Sequence, residues 1–290
     1  MQYARFFDSG NELVIRNSVS RFDRELRVPG FDFSGIQTSS FSEAHLLGSA
    51  DDMDWVVGIN LLTEDFEQQN PLPGFAHDHN SHTMGVFTQG TMPITTDWTI
   101  EAGLRIDGTS SYGNFVLPRL ALLYTPEPET TLRIGGGLGY KEPTLFTEES
   151  ESRQFQAVLP LQAQLLQAEE SAGLNMDINR VFDLSADLTL NLNLLLFYTR
   201  VDNPLRLAAN GQEQFAFQQS REYLDTRGTE INAVWNWENL KLFLGYTHAN
   251  VQERDGGAAT EALLMPQNRL NTVLVYERED DIRIGLEAYY

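Results

Sequence analysis

Three histidines stand close together in one polar stretch and are the first candidates for chemistry. His77, His79 and His82 lie within the stretch HDHNSH, and imidazole is a common ligand for transition metals. They could bind a metal ion or a metal chelate at the mouth of a loop. The alternative is a polar loop that runs into a strand, where alternate side chains point apart. The sequence favours this alternative, because it has no cysteine and no further histidine nearby to complete a coordination sphere.

Two other stretches have the residue types of an ion-binding site without the required spacing. Residues 148–151 read EESE, but a calcium loop needs spaced carboxylates and a sharp glycine turn, so a solvated acidic loop fits better. Residues 135–141 read GGGLGYK and lack the spacing of a phosphate-binding loop. No Gly-x-Ser-x-Gly elbow occurs. We therefore expect no enzyme activity, no catalytic residue, no metal site and no cofactor.

The charge and composition of the chain exclude one class of partner. The chain has 41 acidic and 20 basic residues and a net charge of −21, whereas a nucleic-acid-binding protein needs a basic surface. We expect no nucleic-acid partner. The longest apolar runs, such as 194–197, are far shorter than the ~20 residues of a membrane-spanning helix. A membrane-spanning strand needs no such run, because only every second residue faces lipid.

Apolar and polar residues alternate along much of the chain. The period of two predicts strands with one apolar and one polar face, and it recurs at 188–198, 229–237 and 282–288. Aromatic residues gather near the strand ends, as in the interfacial girdles of membrane barrels. We expect the apolar faces to meet lipid and the polar faces to line a lumen. In 98–107 the apolar set is Trp98, Ile100, Ala102, Leu104 and Ile106, and the polar set is Thr99, Glu101, Arg105 and Asp107.

Short turns and longer polar connections join these strands. We expect the long connections 65–80, 141–167 and 253–267 at one rim of a barrel, and short turns near 50, 127, 185, 239 and 280 at the other. Residues 155–169 contain helix formers interrupted by Pro160 and predict a short helix on a loop. The fold class is therefore all-β, an antiparallel up-and-down transmembrane β-barrel of about 14 strands.

One stretch resembles a barrel strand of the TonB-dependent outer-membrane receptors. Residues 132–146 read LRIGGGLGYKEPTLF. The family often has a Gly-aromatic-basic-Ala-Pro-polar-Leu motif at this place, and Glu142 stands here where Ala is usual. Residues 166–174 and 265–270 are similar to the starts of later strands of the family, so the resemblance covers nearly the whole chain. The matching motif residues are Gly139, Tyr140, Lys141, Pro143, Thr144 and Leu145.

The resemblance implies a partial barrel domain over residues 1–290 of a receptor in the Gram-negative outer membrane. Such receptors import scarce nutrients, namely siderophore-bound iron, haem, cobalamin or glycans. The implied partners are outer-membrane lipid, an extracellular nutrient ligand and the TonB energy-coupling complex, which acts through a plug region. Because these transporters have about 22 strands and a plugged lumen, we expect a fragment that lacks the plug and both ends of the barrel. A non-transporting adhesin or scaffold barrel and a soluble β-sandwich binding module are the alternatives.

Overall fold

The computed structural model describes residues 1–71, 75–219, 223–255, 258–261, 266–278 and 281–290. Strands make up most of this part of the chain. A short α-helix, Glu148–Ser152 (α1), and a 3-10 turn, Ala163–Leu165, occur within one connection. No helix in the described ranges is long and apolar enough to span a membrane. The strands are Gln2–Phe6 (β1), Glu12–Val28 (β2), Phe31–Ala50 (β3), Met53–Gln69 (β4), His79–Pro93 (β5), Trp98–Thr109 (β6), Gly113–Glu127 (β7), Thr130–Lys141 (β8), Glu169–Ser185 (β9), Leu188–Asp202 (β10), Leu205–Ala209 (β11), Phe215–Gln219 (β12), Tyr223–Trp237 (β13), Leu240–Asp255 (β14), Ala258–Glu261 (β15), Asn268–Arg278 (β16) and Ile282–Tyr289 (β17).

Fourteen strands form one antiparallel sheet in which each strand pairs with the next. The order runs from β1 to β10 and continues through β13, β14, β16 and β17. β15 pairs with the last residues of β14, 252–255. β11 and β12 form a separate hairpin. Among the described residues β1 pairs with β2 and β17 with β16, and no ladder joins β1 to β17. The predicted up-and-down barrel arrangement and strand number are confirmed, and the sheet is open.

The two faces of the sheet differ in polarity, as the alternation predicts. On β6, Trp98, Ala102, Leu104 and Ile106 are exposed and Ile100 is partly exposed, whereas Asp107 is only 2% exposed. The apolar row continues across the sheet, and we call this side the outer face. We call the opposite side, which carries Asp107, the inner face. Leu104 does not pack against a second sheet, as the β-sandwich alternative would require. Exposed members of one outer row are Ile59, Val86, Ile106 and Val116.

The antiparallel order divides the connections between two rims. The loop rim has connections 29–30, 70–78, 110–112, 142–168, 203–222 and 256–267. The turn rim has 7–11, 51–52, 94–97, 128–129, 186–187, 238–239 and 279–281. The predicted grouping of long connections and of short turns is confirmed. Residues 72–74, 220–222, 256–257, 262–265 and 279–280 of these connections lie outside the described residues.

Three features of the loop rim differ from the prediction. The connections 29–30 and 110–112 are short, so long and short connections do not alternate strictly. Connection 203–222 is a further long one, which contains the β11–β12 hairpin. The connections near 70 and 256 are shorter than predicted, because β4 continues to Gln69 and β14 to Asp255.

The prediction of a helix at 155–169 is wrong. Helix α1 begins earlier, where Thr147 and Ser150 form a reciprocal capping box. Phe155 and Ala157 have positive φ angles of 59° and 56°, which a right-handed helix does not allow. The backbone of 157–159 instead bonds to Phe215 of β12, so tertiary pairing replaces the local helix preference.

Candidate functional site

A buried aromatic cluster attaches the 142–168 connection to the sheet at the loop rim. Phe33 of β3 and Phe66 of β4 meet Leu145, Phe155 and Val158 of the connection. The ring of Phe33 stacks on that of Phe155 with 4.2 Å between centroids. Phe66 lies six residues along β4 from the buried Asn60 of the inner face, so alternation places both on that face. The connection therefore folds over the interior of the barrel.

Arg24 of β2 also binds the 142–168 connection. Its guanidinium lies 4.5 Å above the ring of Phe146 and donates a hydrogen bond to Glu151 at 3.0 Å. A cation over an aromatic face together with an ion pair holds both the aromatic cluster and helix α1 against β2. The Arg24 side chain is only partly exposed, which reduces the screening of these contacts by water.

A cavity of about 540 Å³ opens between the β2–β3 hairpin and the 142–168 connection. Phe31, Phe75 and Phe155 contribute aromatic walls. Its polar edge includes Asp32 and Gln214, the latter from the 203–222 connection. A volume of this size and a mixed aromatic and polar lining are typical of small-molecule sites in proteins.

His77 is buried beneath this cavity and joins two connections. Its Nε2–H donates to the carbonyl oxygen of Val158 at 3.0 Å, and its backbone N–H donates to Oε1 of Gln68 at 3.0 Å. Burial lowers the pKa of His77, and the bond to Val158 opposes that shift. The neutral imidazole therefore acts as a structural link between the 70–78 and 142–168 connections.

The three histidines considered as metal candidates are not arranged together as one metal site. His79 begins β5 and lines a small polar cavity of about 180 Å³ together with His77 and Asp78. His82 is exposed, and its position three residues further along β5 puts it on the opposite face. In the part of the chain that the structure describes, no three His, Asp or Glu side chains are arranged to hold a metal ion.

The residues of the family motif lie where β8 passes into the 142–168 connection. Pro143 is fully buried and Leu145 belongs to the aromatic cluster. Lys141 forms an ion pair with Glu169 at 3.8 Å, and Oγ1 of Thr144 accepts a hydrogen bond from the backbone N–H of Phe146 at 3.3 Å. These residues anchor the connection, and Gly139 precedes them within β8.

A polar network surrounds Tyr140, the aromatic residue of that motif. Its hydroxyl donates to Asp107 at 3.0 Å, and the Nε–H of Arg105 donates to both oxygens of Asp107 at 2.8 Å. Both charged side chains had been predicted on the lumen face. The hydroxyl of Tyr112, in the 110–112 turn, is buried without a hydrogen-bond partner. Burial, with a smaller contribution from the carboxylate of Glu142, raises the pKa of Tyr112 to about 12.

The 203–222 connection packs on the 142–168 connection and completes the site. Phe215 of β12 exchanges backbone hydrogen bonds with residues 157 and 159 at 2.8 and 2.7 Å, and Arg153 lies 3.5 Å above its ring. Arg206 of β11 binds Glu253 at 3.1 Å and lies 3.9 Å from Glu149. The sequence did not single out these residues, although Asn203-Pro204 and Asn210-Gly211 are turn signals that mark such a connection.

An open up-and-down sheet with an apolar outer face and connections folded onto a polar inner face defines the class of membrane β-barrels. The chain matches the family model described as TonB dependent receptor-like, beta-barrel, over residues 2–289. The chain belongs to this family, whose barrels lie in the Gram-negative outer membrane, and the resemblance found in the sequence is confirmed. No curated protein sequence matches the chain significantly.

Solved structures of outer-membrane receptors have the same fold. A variant of the ferric enterobactin receptor from Pseudomonas aeruginosa is 14% identical, with a TM-score of 0.74 over 99% of this chain and 47% of that one. The FrpB iron transporter from Neisseria meningitidis is 13% identical, with a TM-score of 0.73 over 96% and 47%. The siderophore receptor PirA from Acinetobacter baumannii is 13% identical, with a TM-score of 0.72 over 99% and 48%. The chain thus spans about half the length of these relatives.

Proposed function

We propose that this chain is the barrel part of a receptor that binds a scarce nutrient at the loop rim and imports it across the outer membrane. The single observation that carries the proposal is the inward folding of the 142–168 and 203–222 connections, which leaves an aromatic and polar cavity at that rim. Outer-membrane barrels have short periplasmic turns and longer extracellular loops, so the loop rim faces the outside of the cell.

The solved structures with the same fold favour one nutrient class within this proposal. Relatives with the same fold are a ferric enterobactin receptor and an iron transporter, which supports a siderophore-bound iron solute. Haem, cobalamin and glycans are the other solutes that the sequence resemblance implies. Import requires the TonB energy-coupling complex acting through a plug region, and the chain itself does no covalent chemistry.

The test is uptake by the natural full-length protein in an outer membrane that has no other receptor of this class. Cells receive a ferric siderophore, haem, cobalamin or an oligosaccharide as the limiting nutrient, with and without an active TonB complex. We expect growth on one nutrient class only when the complex is active. Growth on none of them, together with adhesion to a surface or host cell, would instead indicate the adhesin or scaffold alternative.

A matched pair of variants connects uptake to the cavity. Asp32→Asn changes an acidic residue in the cavity lining, and Asp23→Asn makes the same change on the same hairpin outside the lining. We expect Asp32→Asn alone to change the concentration of nutrient that gives half-maximal growth. Equal behaviour of the two variants would place the binding site elsewhere on the loop rim.

A further inference from the structure

The last residues of β8 form a backbone ladder on one side only, with β9. On their other side they are held to the sheet by side chains. The pairing of β7 with β8 ends at Arg119 and Gly137, although β8 continues to Lys141. Pro118 adjoins this last pair, and proline has no N–H to donate to a ladder. Pairing of β8 with β9 continues to Lys141 and Glu169. The end of β8 therefore follows β9 and separates from β7.

The position of Tyr140 shows the direction of this separation. Alternation along β8 would place Tyr140 on the outer face with the exposed Ile134. Its ring instead stacks on Phe115 with 3.9 Å between centroids, and its hydroxyl binds Asp107. Asp107 lies on the inner face and Phe115 is its register partner on β7. The end of β8 thus lies on the inner side of β6 and β7.

Glu142 extends this attachment to β5. Oγ of Ser81 donates a hydrogen bond to Oε2 of Glu142 at 2.6 Å, and Oγ1 of Thr83 donates to Oε1 at 3.1 Å. β5 and β8 are three strand spacings apart in the sheet, or ~14 Å at ~4.8 Å each, which is more than one glutamate side chain can span. The backbone at Glu142 has therefore already crossed the inner side of β7 and β6.

We propose that Glu142 is a positioning residue, which holds the base of the 142–168 connection against β5 so that this connection forms one wall of the solute cavity. Both carboxylate oxygens accept hydroxyl hydrogen bonds, and bonds to an ionised acceptor are about twice as strong as neutral ones. Without them the end of β8 keeps its ladder with β9 and the contacts of Tyr140 with Phe115 and Asp107. It loses the bonds of Glu142 to β5, so the start of the connection can move away from that strand.

An alanine side chain at position 142 could bond neither to Ser81 nor to Thr83, so this attachment depends on the glutamate. It adds to the buried anchors Pro143 and Leu145 of the same connection. The proposal rests on the proposed binding of solute at the loop rim, but the position of the connection can be measured without any solute.

The experiment measures the distance between two spin labels in the full-length protein in outer membranes. This chain of 290 residues has no cysteine. Once any cysteine elsewhere in the full-length protein is replaced by serine, Ser111→Cys in the 110–112 turn and Gln156→Cys in the 142–168 connection are the two labelled sites. Both residues are exposed. Distances are recorded for the parent, for Glu142→Ala and for Glu142→Gln. They are also recorded for the double variant Ser81→Ala/Thr83→Val and for that double variant combined with Glu142→Ala.

We expect a narrow distance distribution in the parent and loss of that narrow peak in Glu142→Ala. Glu142→Gln should keep the peak, because its amide oxygen still accepts one hydroxyl and its NH₂ can donate to the other. Ser81→Ala/Thr83→Val should lose the peak, and adding Glu142→Ala should cause no further change, since all these variants break the same contact. A narrow peak in Glu142→Ala, or additive effects of the two sets, would overturn the proposal.

Two controls separate this outcome from misfolding and from failure of the proposed function. A second label pair on the turn rim, Asp52→Cys and Asp187→Cys, should keep its distance in every variant if the barrel is intact. If Glu142→Ala fails to assemble, the comparison of Glu142→Gln with Ser81→Ala/Thr83→Val still decides the proposal. Loss of the peak in Glu142→Ala in a protein that imports none of the tested nutrients would leave Glu142 a positioning residue and would count only against the proposed function.

Discussion

Replacing Leu104 by arginine tests whether the outer face meets lipid. Leu104 lies six residues along β6 from Trp98, which stacks on Tyr124 near the turn rim. At ~3.4 Å per residue and a strand tilt of roughly 40°, six residues correspond to ~16 Å of height above that aromatic pair. The apolar band of such barrels is ~25 Å tall, which puts Leu104 near its middle.

An arginine at the bilayer midplane costs about 2–4 kcal/mol, falling to about 0–1 kcal/mol near the interfaces. Leu104→Arg should therefore reduce the ratio of folded to unfolded protein by roughly 30- to 700-fold, because each 1.4 kcal/mol is a factor of about ten. The assay is a urea titration of the full-length protein refolded into lipid vesicles, followed by tryptophan fluorescence and by heat-dependent gel mobility.

Gln89→Arg on β5 is the matched control for this substitution. Gln89 is the register partner of Gly103, the residue before Leu104, and therefore lies on the inner face. An arginine there remains in the polar lumen and should shift the urea midpoint far less. Equal losses for Leu104→Arg and Gln89→Arg would refute the assignment of the two faces.

Three further outcomes follow from the contacts at the loop rim and the edges of the sheet. Phe155→Ala should destabilise the attachment of the 142–168 connection by about 3–5 kcal/mol, as for other large core aromatics, and speed trypsin cleavage after Arg153. Because burial lowers the pKa of His77, the released connection binds a proton more readily than the attached one, so attachment should weaken as the pH falls below ~6.5. The spin-label distance distribution should then broaden in the parent but show no such pH response in His77→Gln. Residues 1–290 expressed alone should give no energy-dependent uptake, because β1 and β17 present edges whose unpaired backbone groups each cost several kcal/mol in hydrocarbon, and uptake by this chain alone would contradict that reasoning.

The sequence predicts those features of the fold that depend on local alternation. The period of two along 98–107 identifies the side of β6 that is exposed and the side on which Asp107 is buried, because successive strand residues point to opposite faces. Since antiparallel neighbours reverse direction at every turn, counting strands is enough to group the connections by rim. Connection 203–222 also has local signals, since Asn-Pro and Asn-Gly pairs are typical of turns.

The helix predicted at 155–169 shows why local helix preference was not sufficient to predict the structure of this connection. Its residues favour a helix, but the backbone of 157–159 bonds to Phe215, which is more than fifty residues away in the chain. The outcome depends on a contact between two connections, and no window of sequence around Phe155 contains the competing partner. Glu142 is a similar case, because its partners Ser81 and Thr83 lie on a strand three positions away in the sheet.

The sequence by itself determined the class of this protein, because alternation, tight turns and the motif at 139–145 are all local properties of the chain. Only the tertiary structure decided how the loop rim is built. The separation of β8 from β7 after Pro118 and the inward folding of the 142–168 connection onto Phe33 and Phe66 depend on residues brought together from distant strands. Their energy comes from packing and hydrogen bonds that exist only once the sheet has formed, so no local pattern specifies them.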